Sequence, residues 1–340
     1  MSTSNNISLS VLDLSPVPSG SSSKDALLNT LDLAKHCDEL GYNRYWLAEH
    51  HNTLLIASSA PEIMIGHVAS ITKRIRVGSG GVMLPNHSPL KVAENFRMLE
   101  ALHPSRIDLG IGRAPGTDQK TALALRRSPQ ALLIDDFPEQ LNDLLTFFSG
   151  TFPDNHPYRR IRAIPEGVPA PEIWLLGSSD FSARLAAELG LGFAFAHHIN
   201  PWPAVQVCRL YQNLFRPSVY LTEPKTMLAI SVICSKTVEE AEELALSTDL
   251  TLLKLPLGKL KNFPSIAEAK AYPYDQQEQQ IVHYNRSRFF VGSPALVHKQ
   301  ICDLAEQAGV NELMVTTMAH EHQARRKSYK LLADAFCLSV

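Results

Sequence analysis

Glu49, His50 and His51 close an apolar run that begins at Arg44. A carboxylate beside two imidazoles concentrates groups that exchange protons near neutral pH. Glu49 and His50 are the candidate catalytic residues, because a neighbouring carboxylate can orient an imidazole and favour its charged form. A second run ends Val77-Gly78-Ser79-Gly80-Gly81. Three glycines in four positions weaken a strand, so they mark either a bulge or the approach of something flat to bare backbone. A third run ends Gly110-Ile111-Gly112-Arg113-Ala114-Pro115. Pro115 stands where the third glycine of a dinucleotide loop would be, which leaves Arg113 on a small-residue loop suited to gripping phosphate. A fourth run ends Gly177-Ser178-Ser179-Asp180-Phe181-Ser182. Hydroxyls and free amides at a helix N-terminus make an anion site, although Ser178 or Ser179 could equally serve as a plain helix cap.

These groups must be positioned by the elements before them. Strands are expected at Ile7 to Leu12, Arg44 to Ala48, Arg76 to Val82, Arg106 to Ile111, Glu172 to Leu176, Gly192 to Ala196, Thr226 to Cys234 and Glu312 to Thr316. Helical patterns alternate with them: Lys24 to Leu40 (capped by Ser23, stopped by Gly41), Pro61 to Thr72, Pro89 to Leu102, Pro129 to Phe148, Phe181 to Leu189, Pro203 to Phe215, Val238 to Leu246, Pro294 to Ala308 and His322 to Phe336. Thr151 to Val168 reads as a hairpin-like insertion. Leu253 to Arg288, with Pro256, Pro264 and Pro273, reads as an irregular excursion and a mobile lid. Eight strands each followed by a helix fit an α/β fold with a parallel sheet: a (β/α)8 TIM barrel with insertions in its βα loops, spanning residues 1–340 as one domain. Periodicity alone leaves an open doubly wound sheet as the alternative. In a barrel all four motifs sit at the catalytic end of their strands. His197 and His198 end the sixth strand, and alternation lets only one of them face inward.

Lys plus Arg number 32 and Asp plus Glu 34, a net charge of −2 that gives no electrostatic reason for a nucleic-acid or membrane partner. The N-terminus lacks a signal-peptide pattern, and no stretch reaches the ~20 apolar residues of a membrane span. The five cysteines are widely spaced without a CxxC pair, which suits free thiols in a reducing, cytoplasmic compartment. The histidines never form HExxH, so no metal site is expected, and no GxSxG elbow or P-loop is present.

Taken together, "WLAEHH", "VGSGGVMLPNHSPLKVAENFRMLEALHPSRIDLGIGRAPG", "WLLGSSDFSARLAAELGLGFAFAHH" and, more weakly, "FFVGSPALVHKQICDLAEQAGVNELMV" resemble the bacterial-luciferase-like flavin-dependent monooxygenases. The resemblance covers most of the chain and implies a closed (β/α)8 barrel. It makes His50, beside Glu49, the active-site histidine. It places Gly80–Gly81 as a non-prolyl cis peptide behind the flavin ring and Arg113 as a phosphate-gripping arginine. Gly177, Ser178, Ser179 and Ser182 fall at the phosphate loop, and residues 253–288 match a loop that covers the site. Gly112 stands where luciferase has a reactive cysteine, so light emission is not implied. Ser178 stands where luciferase has a glutamate, which leaves a phosphate site intact. The implied activity is oxygenation of a small organic substrate by O2 and reduced FMN from a separate flavin reductase, in a homodimer. The alternatives are a deazaflavin-dependent hydride transfer of the same superfamily and a flavin-binding protein without turnover.

Overall fold

Residues 7–258 and 260–339 are described by the computed structural model. Nine strands form among the described residues: β1 (Ser8–Asp13), β2 (Arg44–Leu47), β3 (Arg76–Met83), β4 (Ile107–Gly112), β5 (Glu172–Gly177), β6 (Gly192–Ala196), β7 (Thr226–Cys234), β8 (Phe289–Gly292) and β9 (Glu312–Thr316). Strands β1 to β7 follow one another around a ring, and β9 closes it between β7 and β1, every pair parallel. The ring therefore has eight strands, and the closed barrel is the fold. β8 lies outside it, paired only with Ser231 to Cys234 at the end of β7.

Around the ring run α1 (Ser23–Glu39), α2 (Pro61–Ile71), α3 (Pro89–Leu102), α4 (Gln119–Arg126), α5 (Pro129–Leu133), α6 (Phe137–Ser149), α7 (Asp180–Leu189), α8 (Ala204–Leu214), α9 (Val238–Lys254), α10 (Ile266–Ala271), α11 (Gln276–Asn285), α12 (Pro294–Ala308) and α13 (His322–Ala335). Local chemistry sets their ends. Ser22, not Ser23, caps α1 through a reciprocal box with Asp25, and Gly190 ends α7 at φ +62°, a left-handed turn that favours glycine.

Four expectations are corrected here. The pattern from Pro129 to Phe148 is two helices, α5 and α6, with α4 before them. Residues 151–168 form turns, with no strand among them. α9 runs eight residues beyond Leu246, to Lys254. The stretch to Arg288 is helical rather than irregular: α10 and α11 each carry a complete capping box, on Ser265–Glu268 and Asp275–Glu278. Prolines marked the loops between these short helices and masked the helices themselves.

Alternation along the strands sorts side chains into two cores. Tyr45, Leu47, Val77, Leu109, Ile111, Leu175, Phe193, Phe195 and Val315 point outward against the helices. Each buried Val, Leu, Ile or Phe side chain among them contributes about 1.5–3 kcal/mol. Leu12, Trp46, Trp174, Ala194, Met227, Ala229 and Met314 fill the interior. At the floor Arg44, 3% exposed, pairs with Asp108 (2.9 Å), Glu172 (3.0 Å) and Glu312 (2.9 Å), and Arg76 also reaches Asp108 (2.5 Å). Above them Trp46 and Trp174 meet edge to face at 5.7 Å, with Trp46 Nε1 donating to Asp108 at 2.9 Å. Towards the C-terminal ends the inward positions shrink to Ala48, Gly80, Gly110, Gly112, Ala194 and Ala229. The barrel is plugged below and lined by small residues above.

Candidate active site

The end lined by small residues is the C-terminal mouth, where the four motifs converge as a barrel requires. On β3 the pairing with β4 slips: Gly80 opposes Gly110, Val82 opposes Ile111, and Gly81 is the extra residue of a bulge. The Gly80–Gly81 peptide is cis. A Cβ at Gly81 would lie 2.5 Å from Leu176 Cδ1 and 2.7 Å from the Gly110 carbonyl, so only glycine fits. Ser79, buried and outward-facing, pins the bulge from behind. Its hydroxyl donates to the Gly110 carbonyl (2.8 Å) and accepts the Gly110 amide (3.0 Å). The result is a wall of bare backbone from Gly80 to Gly112.

Arg113 leaves β4 beside this wall. Its guanidinium lies 4.2 Å from the centre of the Phe181 ring, in the first turn of α7, and 43% of the side chain is exposed. Its single carboxylate neighbour among the described residues is Asp135, at a loose 3.6 Å. It faces the N-terminal end of α7. Ser179 holds the cap position with extended backbone, yet its side chain makes no capping bond, so plain capping does not account for the serines. Asp180, whose charge would oppose an anion, turns away to Arg184 (3.1 Å). Gly177 lets Ser182 close on β5, since a Cβ there would sit 2.7 Å from Ser182 Cβ. Asn200 holds the loop by donating to the Ser178 carbonyl (3.0 Å).

His50 also enters the mouth, continuing the inward series Arg44, Trp46, Ala48. Its amide donates to the Ser58 carbonyl at 3.0 Å, while its Nδ1 is buried with no hydrogen-bond partner among the described residues. Desolvation lowers its pKa against the pull of Glu49, and His198 and His51 lower it further. His50 is therefore neutral at pH 7, contrary to the charged form expected beside a carboxylate.

Glu49 explains why. The strand turns its side chain to the opposite face. There Oε1 accepts from His51 Nε2 and His87 Nε2, each at 2.8 Å, and Oε2 accepts the Met83 amide at 2.9 Å. It is 1% exposed, and its pKa is lowered by those donors and by His87's charge despite the opposing effect of burial. Glu49 therefore does not touch the His50 ring, and the pairing inferred from adjacency is corrected. His197 and His198 separate in the same way. His198 anchors Nδ1 on the Ala229 carbonyl (3.0 Å) near His50, while His197 stacks on Phe290 at 5.7 Å, its pKa pushed down to about 4 by burial. No cluster of three potential metal ligands occurs among the described residues.

Sequence reasoning brought Gly80, Gly81, Arg113, Gly177, Ser178, Ser179, Ser182 and His50 to one mouth. It missed Ser79, His87, Phe181 and Asn200 as supports. Phe181 and Asn200 stand within a few residues of the Ser178–Ser182 loop and the His pair, but nothing in their type announces a partner on a neighbouring strand end.

The description "luciferase-like monooxygenase" belongs to the protein family that matches residues 7–312, nine-tenths of the chain. The chain belongs to the luciferase-like monooxygenase family. A luciferase-like monooxygenase of Escherichia coli is 42% identical over 332 residues, 98% of each chain. The N-acetyl-S-alkylcysteine monooxygenase of Bacillus subtilis is 37% identical over 331 residues, 97% of this chain and 98% of the relative. Among solved structures, apo-MsnO8 superposes with a TM-score of 0.89 at 36% identity, covering 98% of this chain and 99% of the other. This monooxygenase thus matches these relatives over nearly all of their length and shares its barrel with the solved structure. No helix among the described residues is long and apolar enough to cross a membrane.

Proposed function

We propose that this monooxygenase takes reduced FMN, its phosphate held by Arg113 and the Ser178–Ser182 loop and its ring laid on the Gly80–Gly81 wall. The observation that carries this is the guanidinium of Arg113 over Phe181, which brings a cation without a close partner to a helix N-terminus whose serine leaves its capping bond unmade. Reduced flavin, when bound, supplies the electrons that activate O2. The chain's own part is to bind, shield and protonate. Glycines give the ring its flat seat, the mouth excludes water, and neutral His50 holds an unpartnered Nδ1 ready to exchange a proton with the reacting oxygen.

The oxygen acceptor is a small organic molecule, and the name of the Bacillus relative makes S-alkylated thioethers the first to try. A separate reductase is taken as the source of reduced flavin, and a cytoplasmic pair of chains as the working unit; Ile63, Met98 and Leu102, exposed on α2 and α3, support pairing. Residues 253–288 are proposed as the cover of the site.

The test is anaerobic titration with reduced FMN and with reduced deazaflavin, followed by single turnover under 18O2 with a panel of thioethers and ketones. FMN binding and one labelled oxygen in the product are expected. Binding of deazaflavin alone, with hydride transfer and no label, would establish the alternative. Binding of FMN without turnover on any substrate would favour a carrier.

A further inference from the structure

The mouth rests on a buried cluster that does not itself face it. Glu49 carries a carboxylate with three donors and no contact to the reacting space. Two of its donors lie on the connection after β3: the Met83 amide at the end of the strand and His87 four residues later. The third, His51, is tied through its own backbone to the loop after β4. Its amide donates to the Gly116 carbonyl (3.2 Å), and Thr117 Oγ1 donates to its carbonyl (3.1 Å). Asn52–Asp118 (3.0 Å) and Asn86–Pro115 (2.8 Å) complete the lacing. The loops so bound carry the Gly80–Gly81 wall and Arg113.

We propose that Glu49 is a positioning residue: shared by His51 and His87, its carboxylate clamps the loops after β3 and β4 to the end of β2 and so aligns the flavin's seat and Arg113. This rests on the flavin reading above. His87 makes the clamp sensitive to pH. Its hydrogen bond to Glu49 raises its pKa, and the Glu62 carboxylate adds to this against desolvation. Lys91 lines the same recess, Arg126 reaches the adjacent Asn86, and His51 shares the Glu49 oxygen. Because the folded pKa lies above the ordinary 6.5, the charge-assisted bond is fully present below that value and is lost as pH rises through the raised pKa. Above it a neutral imidazole still donates, but more weakly.

The experiment compares FMN dissociation constants of wild type, His87→Gln, Glu49→Gln and Arg113→Ala between pH 6.5 and 9, with amide exchange of residues 83–88 and 113–118. Glutamine at 87 imitates the neutral imidazole. His87→Gln should bind FMN about five- to tenfold more weakly than wild type at pH 6.5, with the gap closing by pH 9. Glu49→Gln should weaken FMN at every pH, lack the His87 dependence and speed exchange in both loops. Arg113→Ala should weaken binding while keeping the wild-type pH profile. Wild-type binding with the same constant and profile in His87→Gln overturns the clamp, as does unchanged exchange in a folded Glu49→Gln. If Glu49→Gln does not fold, the His87→Gln profile decides alone. A wild-type protein that binds no FMN at any pH overturns the flavin reading and the alignment together.

Discussion

The two ends of the barrel interior solve opposite problems. At the floor every charge is answered: Arg44 serves three carboxylates, and Asp108 satisfies Arg44, Arg76 and Trp46 at once. At the mouth the side chains are small, His50 Nδ1 lacks a partner, Arg113 is half exposed and Ser179 leaves its helix uncapped. The same parallel strands run through both ends, so the difference lies in residue choice along each strand, not in the backbone. Unsatisfied polar groups cost free energy. They are gathered where a ligand can satisfy them, and the paired floor supplies the rigidity that keeps them in place.

The sharpest break of this contrast is at the mouth. His50→Ala should lower single-turnover oxygenation by ~10²–10⁴, the usual worth of a positioned proton carrier, with more hydrogen peroxide released and FMN affinity nearly intact. An unchanged product yield would make His50 structural and turn attention to His198. The converse break is at the floor. Arg44→Met strands Asp108, Glu172 and Glu312 around a lost cation and should cost about 3–5 kcal/mol in urea unfolding, with turnover per folded molecule preserved. A loss below 1 kcal/mol would show that the floor does not depend on its ion pairs.

His197 tests the border between the two regions by pH. Its pKa of about 4 in the folded state lies below the ordinary 6.5, so between those values the unfolded chain binds the extra proton and stability falls on acidification. Wild type should lose roughly 3 kcal/mol relative to His197→Phe between pH 6.5 and 4, and parallel stability curves would refute its burial as a neutral ring. A smaller effect is expected for Arg113→Ala, about 1.5–3 kcal/mol in FMN affinity with stability unchanged, by equilibrium dialysis. Smallest is a matter of order. Limited proteolysis should begin at the exposed turn Leu255–Gly258, and more slowly with flavin and substrate bound. α10 and α11 should resist, since Arg286 grips Asp249 bidentately (2.7 and 2.6 Å) and Phe263 is bonded to the Val17–Ser19 backbone. First cleavage within α11 would instead make the whole cover one loose piece.

Most of this contrast was legible in the sequence. All eight ring strands fall within two residues of their expected ends, because apolar runs bounded by Gly, Pro and helix caps leave little choice. β8 was not legible: Phe289–Gly292 is four residues long, and its pairing depends on where the long excursion after Cys234 returns. The site residues were legible as types at strand ends. Their partners were not, because hydrogen bonds such as Glu49–His87 span 38 positions. One signal was available, however. The alternation that parts His197 from His198 also parts Glu49 from His50, and adjacency in a strand is evidence of opposite faces.

β8 has one more consequence. Chain leaves β7 at Cys234, builds α9 to α11, and comes back as Phe289 to Gly292 alongside the very strand it left, with Cys234 beside Gly292 and the Ser235 amide bonded to the Gly292 carbonyl. The whole excursion is thus a cassette with its two ends stapled to a single strand. Lengthening or replacing its contents changes the closure entropy only slowly, by about 0.6 kcal/mol for each doubling of length, and moves no strand of the ring. A barrel built this way can exchange the whole cassette while keeping its ring of strands.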